Sequence, residues 1–284
     1  MISSVTTTQN ALAPSSPVAE WHRMNIAERK VVWSYGGGKQ SVAIAALIVQ
    51  GKLPKPDLIV MADTGRERSS TWRYLNDWVQ PILSQHGMTV QIASHSLSTV
   101  DLWREKTDDG ESKAMLLIPA FTTLTKSGEV AKLPTYCSNE WKRRVVMRWL
   151  KSQGVERAEI WLGISRDEAH RMKDSDVQWL SHKYPLIDLM MNRDDCVRVV
   201  REMGWPDAPK STCKICPHLS DATWLEMQRD DPEDFAQAVQ TEREIQKRDP
   251  NIFLHRSGKL LDEIDFNYGM KDLFDGCDSG MCWT

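Results

Sequence analysis

The chain has 284 residues, a formal net charge of −3 and six cysteines. That length suits one large domain with an appendage. The near-neutral charge leaves no global electrostatic footprint for nucleic acid, and without an apolar run of about 18 residues no membrane-spanning helix is expected.

Residues 1–20 are rich in Ser, Thr, Ala and Pro and lack the basic start and apolar middle of a secretory signal. Residues 1–27 are therefore expected to form a flexible arm on a cytoplasmic protein, with 21–30 a short helix or lead-in. In that compartment six cysteines argue for metal or thiol chemistry rather than a disulfide framework. The twelve tryptophans read mostly as core.

A short apolar run, 30–34, predicts a first strand. Gly36, Gly37 and Gly38 follow, then Lys39, Gln40 and Ser41, and an Ala-rich run predicting a helix over about 39–50. Glycines let backbone approach a ligand closely, and a helix N-terminus offers unpaired N–H groups to an anion, so this turn reads as a phosphate site. Residues 58–62 predict a second strand ending at Asp63-Thr64-Gly65. A helix over 69–85 carries Trp72, Leu75, Trp78 and Val79 at helical spacing, and 89–93 predict a third strand. Residues 101–136 read as loops around a short apolar piece. A helix reaches to about 152, a fourth strand covers 159–164, a fifth 184–188, and a helix 193–203. After Cys213-Lys214-Ile215-Cys216-Pro217, one charged helix is expected over about 219–248, followed by an irregular tail containing Cys277 and Cys282. Strands alternating with helices predict a parallel α/β sheet whose ligands sit beyond the C-terminal strand ends, where both the glycine turn and Asp63 fall. The domains expected are an α/β unit over 28–205 and a cysteine-containing helical region over 206–284.

Spacing separates the phosphate-loop templates. A Walker A loop requires Gly, four residues, then Gly-Lys-Ser/Thr; here Gln40 follows Lys39, and Trp33 stands where the first Gly belongs. The dinucleotide fingerprint G-x-G-x-x-G meets Ser41 at its third glycine, although Asp63 lies near the distance of a ribose-binding acid. The turn instead resembles the Ser-Gly-Gly-x-x-Ser loop of the PP-loop ATP pyrophosphatase superfamily, with Gly36 at the place of the first Ser, Ser34 two residues earlier, and Gln40 where an Asp is usual. Four further stretches are similar to the phosphoadenosine phosphosulfate reductase-like branch: Asp63-Thr64-Gly65 with Thr71 and Tyr74, Cys137 with Lys142 and Arg143, Gly163 to Arg166 with Glu168 and Arg171, and Tyr184-Pro185-Leu186-Ile187-Asp188 followed by Asp195-Cys196-Val197. Cys213-x-x-Cys216-Pro217 closes a resemblance running over about residues 30–220.

The resemblance implies a five-stranded parallel, doubly wound sheet with helices on both faces. It implies ATP with Mg²⁺ at Ser34, Gly36, Gly37, Gly38, Lys39, Gln40 and Ser41, with Asp63 and Thr64 near ribose or adenine and Gly163, Arg166 and Arg171 near phosphates. Lys39, Ser41 and Arg166 are the catalytic candidates. The chain has neither the Cys-Cys pair nor the Glu-Cys-Gly tail of the reductases. Its Cys137 and Cys213-x-x-Cys216 are arranged as in the iron–sulfur sulfurtransferases of tRNA thiolation and DNA phosphorothioation, which implies a 4Fe-4S cluster on Cys137, Cys213 and Cys216, with Cys282 or Cys277 as a fourth ligand or an open iron. Thiolates also suit zinc, the alternative metal. Cys196 reads as core, and His170 and His218 as loop or surface residues.

The function expected is adenylation with pyrophosphate release followed by sulfur transfer to DNA or RNA. The sulfur would come from a cysteine desulfurase or another donor, and a homo-oligomer is compatible. Trp141, Lys142, Arg143, Arg144, Arg148 and Lys151 offer a local basic face for nucleic acid. The rivals are a reductase of a sulfonucleotide and a non-catalytic nucleotide-binding module with structural zinc.

Overall fold

The computed structural model describes residues 29–94, 102–108, 111–125 and 128–266. The N-terminal arm and both tail cysteines lie outside them.

Five strands form one parallel sheet: β1 (Arg29–Ser34), β2 (Leu58–Asp63), β3 (Val90–Ser94), and the later β8 (Arg157–Trp161) and β9 (Leu180–Lys183), in the order β3-β2-β1-β8-β9. Val32 and Trp33 of β1 and Ile59, Val60 and Met61 of β2 are all buried. A strand covered on both faces carries such a continuous apolar run, without the alternation of a half-exposed strand.

On one face pack α1 (Lys39–Val49), α2 (residues 69–85) and α5 (Arg193–Glu202), sharing a core of Ala43, Leu47, Leu75, Val79, Leu83, Cys196 and Val200. Helix α2 runs through Ser69–Tyr74, Leu75–Val79 and Gln80–Gln85, its middle segment widened to a π turn. Pro81 has no N–H to return to the preceding turn, and a π bulge absorbs that loss. The other face is covered by α3, a π turn over Ser138–Arg143 continued by an α-helix over Arg144–Ser152, whose Val145, Val146 and Leu150 meet Val32, Val60 and Ile160. The expected doubly wound α/β class is therefore the fold.

Four features differ from the sequence reading. Where loops were expected, β4 (Trp103–Asp108) pairs antiparallel with β5 (Glu111–Leu116). The fifth strand is β9, and Pro185–Asp188 is a helical turn, α4, because Pro185 cannot donate to a sheet ladder and favours the first turn of a helix. The charged helix is two helices, α6 (Asp221–Asp230) and α7 (Pro232–Arg248), broken where Pro232 starts the second. Small strands β6 (Phe121–Thr122), β7 (Ala131–Lys132) and β10 (Ile252–Phe253) form a separate sheet.

The C-terminal region has its own core. Trp224, Met227, Phe235, Ala238, Ile245, Leu254 and Phe266 gather there with Leu116, Leu117, Ile118 and Trp141 from the earlier half. Charges dock it to α2. Arg68, fully buried, donates to Asp231 (3.1 Å) and Glu226 (3.0 Å). Asp234 accepts from Ser69 N (2.7 Å) and Oγ (2.9 Å) and pairs with Lys214 (2.8 Å). Burial works to raise the Asp234 pKa, but the hydrogen bonds from Lys214 and Ser69 outweigh it and hold it below the usual value.

Candidate functional site

The sheet order reverses between β1 and β8, and a crevice opens beyond the C-terminal ends of those two strands. This is where open α/β sheets bind ligands. Here the chain leaves β1 through Ser34, Tyr35 and the three glycines and enters α1. Gly37 has φ +74°, and a Cβ on it would stand 2.5 Å from Thr71 Cγ2, so both backbone conformation and space demand glycine. Gly163, just beyond β8, would place a Cβ 3.3 Å from Ser41 N and Oγ; its missing side chain lets the two strand ends approach.

Gly38 is the N-cap of α1 and no side chain caps the helix, whose first turn also carries no acidic residue. Its first N–H groups thus face the crevice without a protein acceptor competing as a cap, and the helix dipole favours negative charge there. Gly36 N donates to Ser41 Oγ (2.9 Å), which folds the turn back on the helix and leaves the Ser41 hydroxyl proton to donate elsewhere.

Around this turn the crevice is walled by Lys39, Lys142, Arg171, Arg193 and Lys210, with Glu67 and Glu168 the only acids on the wall among the described residues. Buried Glu168 is held by Arg171 (3.0 Å), Arg193 (2.8 Å) and the amide of Gln40 (3.0 Å). Gln40, standing where the resembling loops carry Asp, thus reaches an acid as a donor. The excess of cations over acids fits a polyanion.

A second, narrow and almost wholly apolar pocket lies next to the first, lined by Cys137, Cys213 and Cys216 together with Thr64, Ile118, Trp141, Lys142 and Ile215. The three cysteines thus line one pocket, although among the described residues no three His, Cys, Asp or Glu are grouped to hold a single metal ion; Cys282 lies outside the described residues. Residues 66–68 bring the CxxC segment alongside β2. Lys214 N donates to Arg66 O (2.8 Å), Arg68 N donates to Thr212 O (3.3 Å), and Glu67 and Cys213 form an antiparallel bridge. Cys213 Sγ lies 3.6 Å from Thr64 Oγ1 and donates to Glu67 Oε1 (3.7 Å). Cys196 is fully buried in the core, where burial pushes its thiol up to about 12.

Lys142 lines both cavities. Its Nζ pairs with Glu67 Oε1 at 3.1 Å, the oxygen that also faces the Cys213 thiol. Glu67 is 3 % exposed, and its other oxygen, Oε2, is buried without a partner. Half-buried Lys142 thus stands where the crevice and the thiol pocket adjoin, paired with buried Glu67 on the crevice side.

Not every expected residue stands on the crevice wall. Ser34, Gly36, Gly38, Lys39, Gln40, Ser41, Gly163 and Arg171 do. Arg166 is exposed and off the wall, anchored by its backbone N–H to Met191 O (2.7 Å). Asp63 closes a turn by accepting from Gly65 N (2.7 Å), and Thr64 faces the thiols instead of the crevice. The basic face of α3 is largely spent in ion pairs: Lys142 with Glu67, Arg143 with Asp176, Arg144 with Glu140, while Lys151 sits over the Trp179 ring at 4.0 Å. Glu67, Arg193, Lys210 and Ser211 were not singled out from sequence. Lys210 and Ser211 directly precede the CxxC segment, the one positional signal that pointed to them.

No protein-family model and no curated protein matches the sequence. Among solved structures, the chain is similar to a phosphoadenylyl-sulfate (PAPS) reductase from Candida auris in a phosphate complex, at 12 % identity over 70 % of this chain and 92 % of that one, with a TM-score of 0.39. It is also similar to a U34-tRNA thiolase from Methanococcus maripaludis with its 4Fe-4S cluster, at 13 % identity over 78 % of this chain and 74 % of that one, with a TM-score of 0.37. Similarity so slight adds nothing to the sheet topology and site geometry. No helix among the described residues is long and apolar enough to cross a membrane.

Proposed function

We propose that the protein is an ATP-dependent, adenylating sulfurtransferase with a nucleotide in the crevice and a 4Fe-4S cluster in the thiol pocket. The observation that carries this reading is Lys142, which lines both cavities and pairs with Glu67 where they adjoin, beside Cys213.

The residues of the pocket suit the cluster. Soft thiolates on an apolar wall favour iron–sulfur chemistry. Zinc, which draws four ligands to about 2.0–2.3 Å, is the alternative metal for the same thiolates. Cys137, Cys213 and Cys216 would hold the cluster. Bound there, it supplies an iron to which a sulfur atom can bind.

The chain's own part is electrostatic. The N–H groups at Gly37, Gly38 and the start of α1 take the phosphate oxygens, and Ser41 donates its hydroxyl. Lys39, Lys142, Arg171, Arg193 and Lys210 offset the charge that grows on the departing pyrophosphate as an acceptor oxygen attacks the α-phosphate. Mg²⁺ would arrive with the nucleotide, bound to its phosphates. The acceptor proposed is a nucleic acid, DNA or RNA. Its support is the cationic crevice and the cysteine arrangement, not the α3 face, where Lys142, Arg143 and Arg144 are held in ion pairs.

Anaerobic purification with iron, sulfide and zinc analysis, followed by an assay of acceptor-dependent pyrophosphate release from ATP, tests the proposal. Iron and sulfide with pyrophosphate release support it. Thioredoxin-dependent sulfite release from a sulfonucleotide would replace it with a reductase, and a zinc-only protein that releases no pyrophosphate would reduce it to a binding module.

A further inference from the structure

One short segment touches both cavities. Lys210 and Ser211 line the phosphate crevice, and Cys213 and Cys216 line the thiol pocket. Its far end is clamped by backbone: Thr212 and Lys214 bond to Arg68 and Arg66, and Cys216 N donates to Cys213 O (3.0 Å). Lys214 is pinned further by Asp234 (2.8 Å) and Gln237 (2.9 Å). Its near end lies directly on the glycine turn. Ser211 Oγ donates to Gly36 O, and the Ser211 side chain lies 3.3 Å from where a Gly38 Cβ would stand and 3.5 Å from a Gly37 Cβ. The turn has no side chains of its own there, so Ser211 occupies the space they would have filled.

We propose that Ser211 is a positioning residue that couples occupancy of the phosphate turn to the ordering of the CxxC segment. The inference rests on the nucleotide reading of the crevice. A phosphate seated on the amides of residues 37–41 fixes the peptide planes of the turn, including the Gly36 carbonyl that accepts from Ser211. Ser211 then holds the start of a segment whose far end is already clamped, and the backbone carrying Cys213 and Cys216 is restrained from both sides. Without phosphate Ser211 still bonds to the turn, but the turn itself is loosely held, so the far clamp carries most of the restraint. The nucleotide is thus sensed at the thiols through one hydroxyl, with no contact between nucleotide and cysteine.

Hydrogen–deuterium exchange on the full chain, with and without MgATP, tests this. In the unmodified protein MgATP slows exchange at residues 36–41 and also at 212–216, each by about tenfold. In Ser211→Ala, MgATP still slows 36–41, while 212–216 keep their nucleotide-free rate; Ser211→Thr, which retains the hydroxyl, restores the response. A purely structural role for Ser211 would speed exchange at 212–216 without nucleotide, and that result overturns the proposal. So does equal protection of both segments in Ser211→Ala, or no response at 212–216 in the unmodified protein. If Ser211→Ala does not fold, Ser211→Gly repeats the comparison. Failure of MgATP to protect even residues 36–41 overturns the nucleotide reading itself, and the coupling with it.

Discussion

The glycine-turn crevice and the thiol pocket adjoin at Lys142 and are built in opposite ways. The crevice is made mainly of backbone. Its turn is contiguous in sequence, its shape is set by glycines that leave room, and charged side chains stand around it, Glu67, Glu168 and Arg171 among them buried. The thiol pocket is made of side chains from segments around residues 64, 137 and 213, brought together only by the packing of the C-terminal region, and its wall is apolar. A backbone site tolerates change in its neighbours and fails when a Cβ is added; a side-chain site fails when its packing or its anchors loosen. Lys142 and Glu67 are where the two designs meet.

The largest effect is expected at that meeting point. Lys142→Met leaves the Glu67 carboxylate buried with its cation removed, which costs about 3–5 kcal/mol of stability; urea denaturation should show it, and both nucleotide and iron binding should fall. Adding Glu67→Leu removes the stranded charge and should recover much of the stability, but neither ligand. Next comes Gly37→Ala, which forces a left-handed conformation on a Cβ and drives it into Thr71, costing about 1–3 kcal/mol. Nucleotide binding by calorimetry should be lost while iron content stays normal. Cys213→Ser should do the reverse, losing iron and sulfide with nucleotide affinity nearly unchanged; full metal retention would remove Cys213 from the ligand set. Ser41→Ala removes the acceptor for Gly36 N–H, worth about 1 kcal/mol, and should weaken MgATP binding about tenfold.

The smallest effect separates the two regions by pH. Asp234 anchors Lys214 beside the thiols, and its folded pKa is lowered. A carboxylate of lowered folded pKa contributes stability that is present above its unfolded value and lost as pH falls through the folded one. Below the usual value near 3.8, exchange at residues 212–216 should therefore quicken before that of the sheet, and Asp234→Asn should remove the difference.

The same contrast governs what could be read from sequence. The glycine turn, the strands around it and the doubly wound class were legible because each depends on residues next to one another: β1, the turn and α1 fall within residues 29–49. That Cys137, Cys213 and Cys216 would lie together was implied by the family resemblance, and they do line one pocket. What surrounds them could not be read, since Glu67 and Lys142 meet only when α3 and the end of β2 come together. The antiparallel pairing of β4 and β5 was missed although Asp109-Gly110, a strong hairpin dipeptide, separates two strand-like runs. The fifth strand was placed on apolar Leu186 and Ile187, but Pro185 turned that run into a helical turn and the ladder formed on residues 180–183. The basic face of α3 was visible as composition; of the acids paired with it, Glu140 lies on the same helix, while Glu67 and Asp176 come from distant segments.

The central claim is that crevice and thiol pocket are two halves of one site. Titrating MgATP into the anaerobically purified protein while recording its visible absorption tests this most directly. The account predicts an iron–sulfur spectrum that changes saturably with MgATP in the unmodified protein and no longer responds in Gly37→Ala. A colourless protein, or an iron–sulfur spectrum indifferent to bound MgATP, would contradict it.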